Sequence, residues 1–280
     1  MITFARRFTL FNLIVWFMYF DNKLVWITGA SSGIGEYLAY ALNEEGARLV
    51  LSSRKTDELN RVKSRCKNPD SVHVIPLDVS DLDAIPKAVE EVISSFGAID
   101  ILINNAGISQ RELALNTQLS VDRQIMDVNY FGTIALTKAV APHMQARRAG
   151  QIVVISSVMG KIGVPYRSAY AASKHALHGF FDSLRAELYP DGIRVSLICP
   201  GYVHTNVTVN ALRGDGSPNS VMAESTKGGF SPDVFAKKAL KAIKKQKREA
   251  LIAKTEGLAV LINRFAPAIF ARIARGLKLK

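Results

Sequence analysis

Tyr170 and Lys174, four positions apart, are the pair in this chain best suited to moving a proton. On a helix they share one face. An ammonium held near a phenol favours the phenolate and should draw the tyrosine pKa down toward neutrality. A phenol tuned in this way gives a proton to a carbonyl oxygen or takes one from an alcohol. Ser157, thirteen positions before the tyrosine, offers a second hydroxyl to the same oxygen. The pair alone carries little weight, because a Tyr followed four later by a Lys arises by chance in roughly half of chains this long. Its meaning depends on the elements that would carry it.

Short apolar runs rich in β-branched residues occur at 23–28, 48–53, 72–77, 99–103, 151–155, 193–198 and 250–253, and each reads as a strand. Helical spacing separates them over 36–47, 57–66, 84–96, 120–145, the segment through Tyr170 and Lys174, and 231–248. In a chain of 280 residues that is 48% apolar, this alternation predicts a single α/β domain. The first strand runs straight into Gly29, Ser31, Ser32, Gly33, Ile34 and Gly35 and then into a helix. Strand, glycine loop and helix form the setting of a phosphate-binding turn. Glycines let the backbone approach a pyrophosphate, and the helix start offers free N–H groups and a positive dipole end.

The other strand ends carry related turns. Arg54 follows the second strand where an acid would bind a ribose 2′-hydroxyl, so a 2′-phosphate and NADP(H) are expected; the alternative is a solvated loop at Arg54 and Lys55. Asp78 and Val79 follow the third strand, with Asp78 either touching an adenine amino group or capping the next helix. Asn104, Asn105, Ala106 and Gly107 close the fourth, which suits a tight turn beside a ligand. Ser156 and Ser157 end the fifth, and Pro200, Gly201, Val203 and Thr205 lie in the turn after the sixth. Ligands of open parallel sheets bind just beyond the carboxyl ends of the strands. Asn129, inside the 120–145 pattern, reads as a local backbone partner or as part of the chemistry.

Charge and cysteine content narrow the class. The net charge is +12, but residues 233–280 hold 13 Lys/Arg against 3 Asp/Glu, so the basic character belongs to a C-terminal tail and nucleic acid is not an expected partner. Cys66 and Cys199 stand in no metal spacing, the five histidines form no H-E-x-x-H, and no metal site is expected. Two isolated cysteines suit a reducing, cytoplasmic compartment. Residues 1–20 contain an apolar run at 8–20, short of the roughly 20 residues of a membrane span. The run reads as a short anchor, an extra buried element, or sequence upstream of a start at Met18. Residues 206–230 are polar, glycine-bearing and aperiodic, and read as a lid over the substrate. Over 257–280 an apolar stripe of Leu258, Leu261, Ile262, Phe265, Ile269, Ile273 and Leu277 lies among basic residues, with Pro267 as a break. Such a stripe suits contact with a membrane surface, a helix at the substrate mouth, or a dimer interface.

Together the TGASSGIG loop (28–35), NNAG (104–107), the Asn129 helix, Ser157, Tyr170-x-x-x-Lys174 and PGYVHT (200–205) resemble the short-chain dehydrogenase/reductase (SDR) family in order and spacing over about residues 22–206. The stretches at 52–66 and 104–140 are similar to a branch of membrane-associated reductases of lipophilic substrates. The resemblance implies a Rossmann-like doubly wound parallel sheet of seven strands with helices on both faces. It implies Tyr170 as acid/base and Lys174 as holder of the nicotinamide ribose. Ser157 would orient the substrate oxygen, and Asn129 would anchor a water in a proton relay. Asn105, Ala106 and Gly107 would line the cofactor, with Val203 and Thr205 at its carboxamide and pyrophosphate. A homodimer or homotetramer is also implied. The expected function is NADP(H)-dependent interconversion of a lipophilic carbonyl and its alcohol. Alternatives are a 3-ketoacyl-thioester reductase of fatty-acid synthesis and a non-catalytic NADP(H)-binding sensor.

Overall fold

The computed structural model describes residues 18–221 and 223–276. Seven strands form one parallel sheet in the order β3-β2-β1-β4-β5-β6-β7. They are β1 (Leu24–Thr28), β2 (Arg48–Ser52), β3 (Val72–Val74), β4 (Ile101–Asn104), β5 (Gly150–Ile155), β6 (Ile193–Pro200) and β7 (Glu249–Ile252). The first helices are α1 (Gly33–Glu44), α2 (Thr56–Arg65), α3 (Ala84–Phe96), α4 (Leu119–Met126) and α5 (Gly132–Arg147). The rest are α6 (Ser168–Leu188), α7 (Glu224–Lys227), α8 (Pro232–Lys244), α9 (Glu256–Phe265) and α10 (Pro267–Arg275). The strand order reverses direction between β1 and β4, which opens a crevice at their carboxyl ends.

Strand alternation sends side chains to two cores. Val25 and Ile27 join Leu38, Leu42, Phe235 and Leu240 on one face, where α1 and α8 pack. Leu24 and Trp26 join Val89, Leu136, Val140 and Phe181 on the other, under α3, α5 and α6. Parallel strands buried on both faces explain the nearly unbroken apolar runs of the sequence. Trp26 Nε1 donates to Ser52 Oγ at 2.9 Å, and Ser52 Oγ donates to the Ile75 carbonyl at 2.6 Å, so the buried polar atoms of the three strands are paired.

Several boundaries differ from expectation. The run at 72–77 keeps regular strand form only to Val74, because Pro76 cannot donate to a ladder; Ile75 and Leu77 still donate to Leu51 and Ser53 carbonyls at 3.1 Å. The pattern over 120–145 is two helices joined by a π-helical turn at Asp127–Phe131, which carries Asn129. The pattern over 257–280 breaks at Ala266 (φ −142°, ψ 63°), and Pro267 opens α10. The helix expected over 231–248 stops at Lys244, whose Nζ lies 2.7 Å from Glu45 Oε2.

Phe20 is fully buried and the Tyr19 hydroxyl donates to Gln151 Oε1 at 3.0 Å, so these two residues pack within the domain. The expectations placed on residues 1–17, whether anchor or upstream sequence, lie outside the described residues. So does Leu277. The 206–230 segment is tied to the loop after β4: Leu212 donates to the Ser109 carbonyl at 2.8 Å and Arg111 to the Leu212 carbonyl at 2.8 Å.

Candidate active site

The carboxyl ends of β1, β4, β5 and β6 bring the sequence-predicted residues to one rim. Thr28, the last residue of β1, accepts the N–H groups of Asn105 and Ala106 at 3.1 Å through its hydroxyl. Asn105 Nδ2 returns to the carbonyls of Thr28 and Gly29 at 3.0 and 3.1 Å. The glycine loop and the 104–107 turn are thereby locked together. Gly29 has φ +64°, and a Cβ there would lie 2.8 Å from Ala106 Cα, so only glycine fits. A Cβ at Gly35 would overlap the Gly29 carbonyl and lie 2.6 Å from Asn105 Nδ2. On the other side, Thr205 closes on Gly33, with its Cβ 3.3 Å from where a glycine side chain would begin.

These residues fit a dinucleotide. Ser32 makes no capping hydrogen bond with its side chain, so the first-turn N–H groups of α1 face the loop uncapped, as a pyrophosphate requires. Ile34 packs partly against the core. Asp78 Oδ1 accepts from the Ser80 N–H and hydroxyl at 2.9 and 2.6 Å within a turn and caps no helix, and Asp78 Oδ2 stands 3.8 Å from Arg54 Nη1. Val79 is buried, and its carbonyl presses on Gly132 at the start of α5. Arg54 is 63% exposed and lines a cleft of about 390 Å³ with Ser80, Arg123 and Asp127. The turn at Pro200 and Gly201 is pinned by Glu256, whose Oε1 accepts the Tyr202 N–H at 2.6 Å, while Val203 is buried.

The proton-handling side chains sit beside this cradle. Gln110 Oε1 accepts the Ala169 N–H at 2.9 Å and so fixes the first turn of α6, which carries Tyr170. Lys174 is buried one turn later and donates to the Ile155 carbonyl at 2.9 Å. Asn129 is wholly buried: Oδ1 accepts the Ile108 N–H at 2.8 Å, and Nδ2 donates to the Ile108 carbonyl and Ser173 Oγ at 2.9 Å. A Cβ at Gly107 would lie 3.1 Å from Asn129 Oδ1 and 3.5 Å from Lys174 Nζ, so both side chains converge on that glycine. Ser157 Oγ accepts the Met159 N–H at 3.1 Å and faces the Tyr170 phenol.

The electrostatics differ from expectation. Burial raises the Tyr170 phenol above its ordinary value, and the Ser157 hydroxyl and the Arg167 guanidinium pull it back down. Lys174 lies 5.8 Å from the ring centroid, and burial lowers its own pKa to about 8. Burial, which disfavours a charge on either group, is the largest influence on both, and the expected downward pull of Lys174 is not among the influences on the phenol. Residues the sequence reading passed over are Thr28, Gln110, Arg123, Arg167 and Glu256, together with Arg61, which donates to the Ser31 carbonyl at 3.1 Å and to Glu36 Oε1 at 2.7 Å. Thr28 opens the glycine-loop motif, and Arg61, Gln110 and Arg123 lie within the stretches at 52–66 and 104–140, but no spacing marks any of them as part of the site.

With sheet, cradle and proton-handling cluster in view, the family is decided. A family model described as short chain dehydrogenase matches residues 23–215, and the chain belongs to that family. It is an oxidoreductase of the SDR type, a fold that binds nicotinamide dinucleotides and acts on small molecules. It is 44% identical over 275 residues to a dehydrogenase/reductase SDR family member 7B of Xenopus tropicalis, covering 94% of this chain and 89% of that protein. A short-chain dehydrogenase from Streptomyces avermitilis superposes with a TM-score of 0.78 at 27% identity, covering 92% of this chain and 98% of that one. An alcohol dehydrogenase from Thermococcus sibiricus, complexed with 5-hydroxy-NADP, superposes with a TM-score of 0.72 at 26% identity, covering 84% and 98%. No helix among the described residues is long and apolar enough to cross a membrane.

Proposed function

We propose that this protein interconverts a lipophilic carbonyl compound and its alcohol using NADP(H), with Tyr170 as the acid/base. The observation that carries the reading is the convergence of Ser157, Tyr170, Lys174 and Asn129 beside the glycine cradle. When bound, the dinucleotide supplies or takes up the hydride. The chain's own residues manage the proton and the charge. Ser157 and Tyr170 offer two hydroxyls to one substrate oxygen and stabilise negative charge as it develops there. Tyr170 gives that oxygen its proton in reduction and removes it in oxidation. Lys174, anchored on Ile155, holds the ribose and keeps a positive charge near the phenol. Asn129 fixes the loop at Ile108 against α6 through Ser173.

Two arginines support the 2′-phosphate. Arg54 and Arg123 line the same cleft, and the nearest carboxylate oxygen to Arg54 stands at 3.8 Å, so its charge is only loosely compensated. The lipophilic substrate rests on the covering elements. Phe270 of α10 packs with Val158, Met159 and Ala171, so α9 and α10 form an apolar roof next to Tyr170. Their outer side exposes Leu258 (61%), Phe265 (78%) and Ile269 (54%) beside Arg264, Arg272 and Arg275. This face suits an anionic membrane surface from which a lipophilic substrate would enter. The 206–230 segment, fastened at Leu212, is the lid.

The test is a panel of ketones and aldehydes scored by consumption of NADPH and of NADH. Turnover that prefers NADPH and disappears in Tyr170→Phe is the expected result. Turnover unaffected by that substitution would remove the assignment. Flotation with anionic vesicles, comparing the wild type with Phe265→Asp, tests the membrane face separately; equal failure of both to float ends that part.

A further inference from the structure

Glu256 is the first residue of α9, yet both of its carboxylate oxygens are taken up outside that helix. Oε1 accepts the Tyr202 N–H at 2.6 Å, 54 positions away, and Oε2 accepts the Lys254 N–H at 3.0 Å. A Cβ at Gly201 would lie 2.5 Å from Oε1 and 2.9 Å from Ala253 Cβ, so the carboxylate rests against bare backbone. The Gly201 N–H is itself taken by the Ile252 carbonyl at 2.9 Å. A charged acceptor on a backbone N–H makes one of the stronger hydrogen bonds a turn can have. An acid at the start of a helix is a common partner of the helix dipole and needs no contact with a distant turn. The reach to Tyr202 sets this one apart.

The Tyr202 turn follows β6, on the same side of the crevice as β5 and Tyr170, whereas Arg54 follows β2 on the opposite side. A dinucleotide whose 2′-phosphate meets Arg54 must lay its nicotinamide half toward β5 and β6. Thr205, further along the turn, has its Cβ 3.3 Å from where a Gly33 side chain would begin, and Val203 is buried. The Tyr202 carbonyl accepts the Phe230 N–H and the His204 N–H donates to the Phe230 carbonyl, both at 2.8 Å. The turn is thus hung between the end of the lid on one side and Glu256 on the other. We infer that Glu256 is a positioning residue that holds the turn after β6 in the shape that receives the nicotinamide half of the dinucleotide. This role presupposes the dinucleotide of the proposed function. Glu256 also opens the α9–α10 roof, so the roof and the nucleotide turn are fixed to each other. Without its bond the nucleotide itself must order the turn, and affinity falls with the fraction of molecules already in the receptive shape.

The test compares Glu256→Asp, Glu256→Gln and Glu256→Ala with the wild type in the full chain, by calorimetry. Four ligands are used: NADPH, NADH, and two adenosine fragments without nicotinamide, adenosine 2′,5′-bisphosphate and ADP. Glu256→Asp keeps the acid at the helix start but is too short to reach the Tyr202 N–H. Glu256→Gln keeps the reach and gives up the charge. Glu256→Asp and Glu256→Ala should bind both dinucleotides at least about tenfold more weakly, the factor that corresponds to losing a hydrogen bond to a charged group. Glu256→Gln should recover most of that loss. The adenosine fragments should bind all four proteins alike, a pattern that a general loosening of the fold would not give. Glu256→Asp retains the acid that favours the start of α9 and is expected to fold, so it carries the test where Glu256→Ala does not. Unchanged dinucleotide affinity in folded Glu256→Asp overturns the inference, as does an equal loss for the adenosine fragments or a Glu256→Gln no better than Glu256→Ala. A wild type without affinity for any of the four ligands would instead defeat the proposed function itself.

Discussion

Lys174 and Ile155 are joined by an ammonium-to-carbonyl hydrogen bond of 2.9 Å, which fastens the reactive face of α6 to the end of β5. Ser157 leaves the same strand two residues later. The hydroxyl and the amine that frame Tyr170 are therefore positioned by one strand end, and a shift of β5 against α6 would misplace both.

Removing the phenol oxygen should separate binding from chemistry. Tyr170→Phe is expected to lower turnover by about 10²–10⁴-fold. Nucleotide affinity, read by calorimetry, should change little. A variant that keeps more than about a tenth of the wild-type rate contradicts the assignment.

Lys174 carries a pH signature. Burial lowers its pKa from 10.5 to about 8. Between these values the unfolded chain holds the proton and the folded one has released it, so stability rises with pH through this window. The contribution is complete above about 10.5 and gone below about 8, where the buried amine is charged in both states. Lys174→Met should abolish this alkaline gain and raise stability at neutral pH by roughly 1–3 kcal/mol. Urea unfolding at pH 7 and pH 9 measures both effects; a destabilised Lys174→Met at pH 7 would refute the argument.

His178 acts at the acid end. Its Nε2 lies 3.0 Å from Ser156 Oγ, its Nδ1 lies 3.7 Å from Glu249 Oε2, and burial lowers its pKa from 6.5 to about 4. Its contribution is fully present above about 6.5 and is lost as pH falls toward 4, because the unfolded imidazole takes up a proton that the folded one refuses. His178→Gln should flatten the fall in melting temperature across that interval. An acid profile identical to the wild type would rule this out.

Arg54 should decide between the two nucleotides. Arg54→Ala is expected to weaken NADPH by about tenfold or more while leaving NADH nearly unchanged, since a hydrogen bond to a charged group is worth about 1.5–3 kcal/mol. Dissociation constants for both nucleotides settle it, and an equal loss for each would assign Arg54 to the loop alone.

Gly35 tests the cradle. A methyl group there meets the Gly29 carbonyl and lies 2.6 Å from Asn105 Nδ2, both held by the Thr28 network. Gly35→Ala should lose about 1–3 kcal/mol of stability by overpacking. It should also weaken either nucleotide. Unchanged thermal unfolding and unchanged affinity would show that the loop yields freely.

The elements that could be read from residues 18–276 are those whose signals are local. The run of β1 into Gly29 and Gly35 was legible because a strand, a turn and a helix each leave their own periodicity in adjacent residues. Tyr170 and Lys174 were legible because one turn of α6 places them together without help from the rest of the chain. The π-helical turn under Asn129 left no such trace, and the bonds Asn129 makes there reach Ile108 and Ser173, 21 and 44 residues away.

The amino-acid order by itself determined the alternation of strands and helices, the glycine loop, and which side chains could move a proton. Tertiary structure alone decided that Thr205 closes on Gly33, that Glu256 pins the turn at Tyr202, and that Arg167 ties Ser109 and Gln110 to the start of α6. It also reversed the expected direction for Tyr170, because a pKa depends on how dry the surroundings are. Dryness comes from elements far along the chain, such as Phe270 packed over Val158 and Met159, and no spacing within a motif records it.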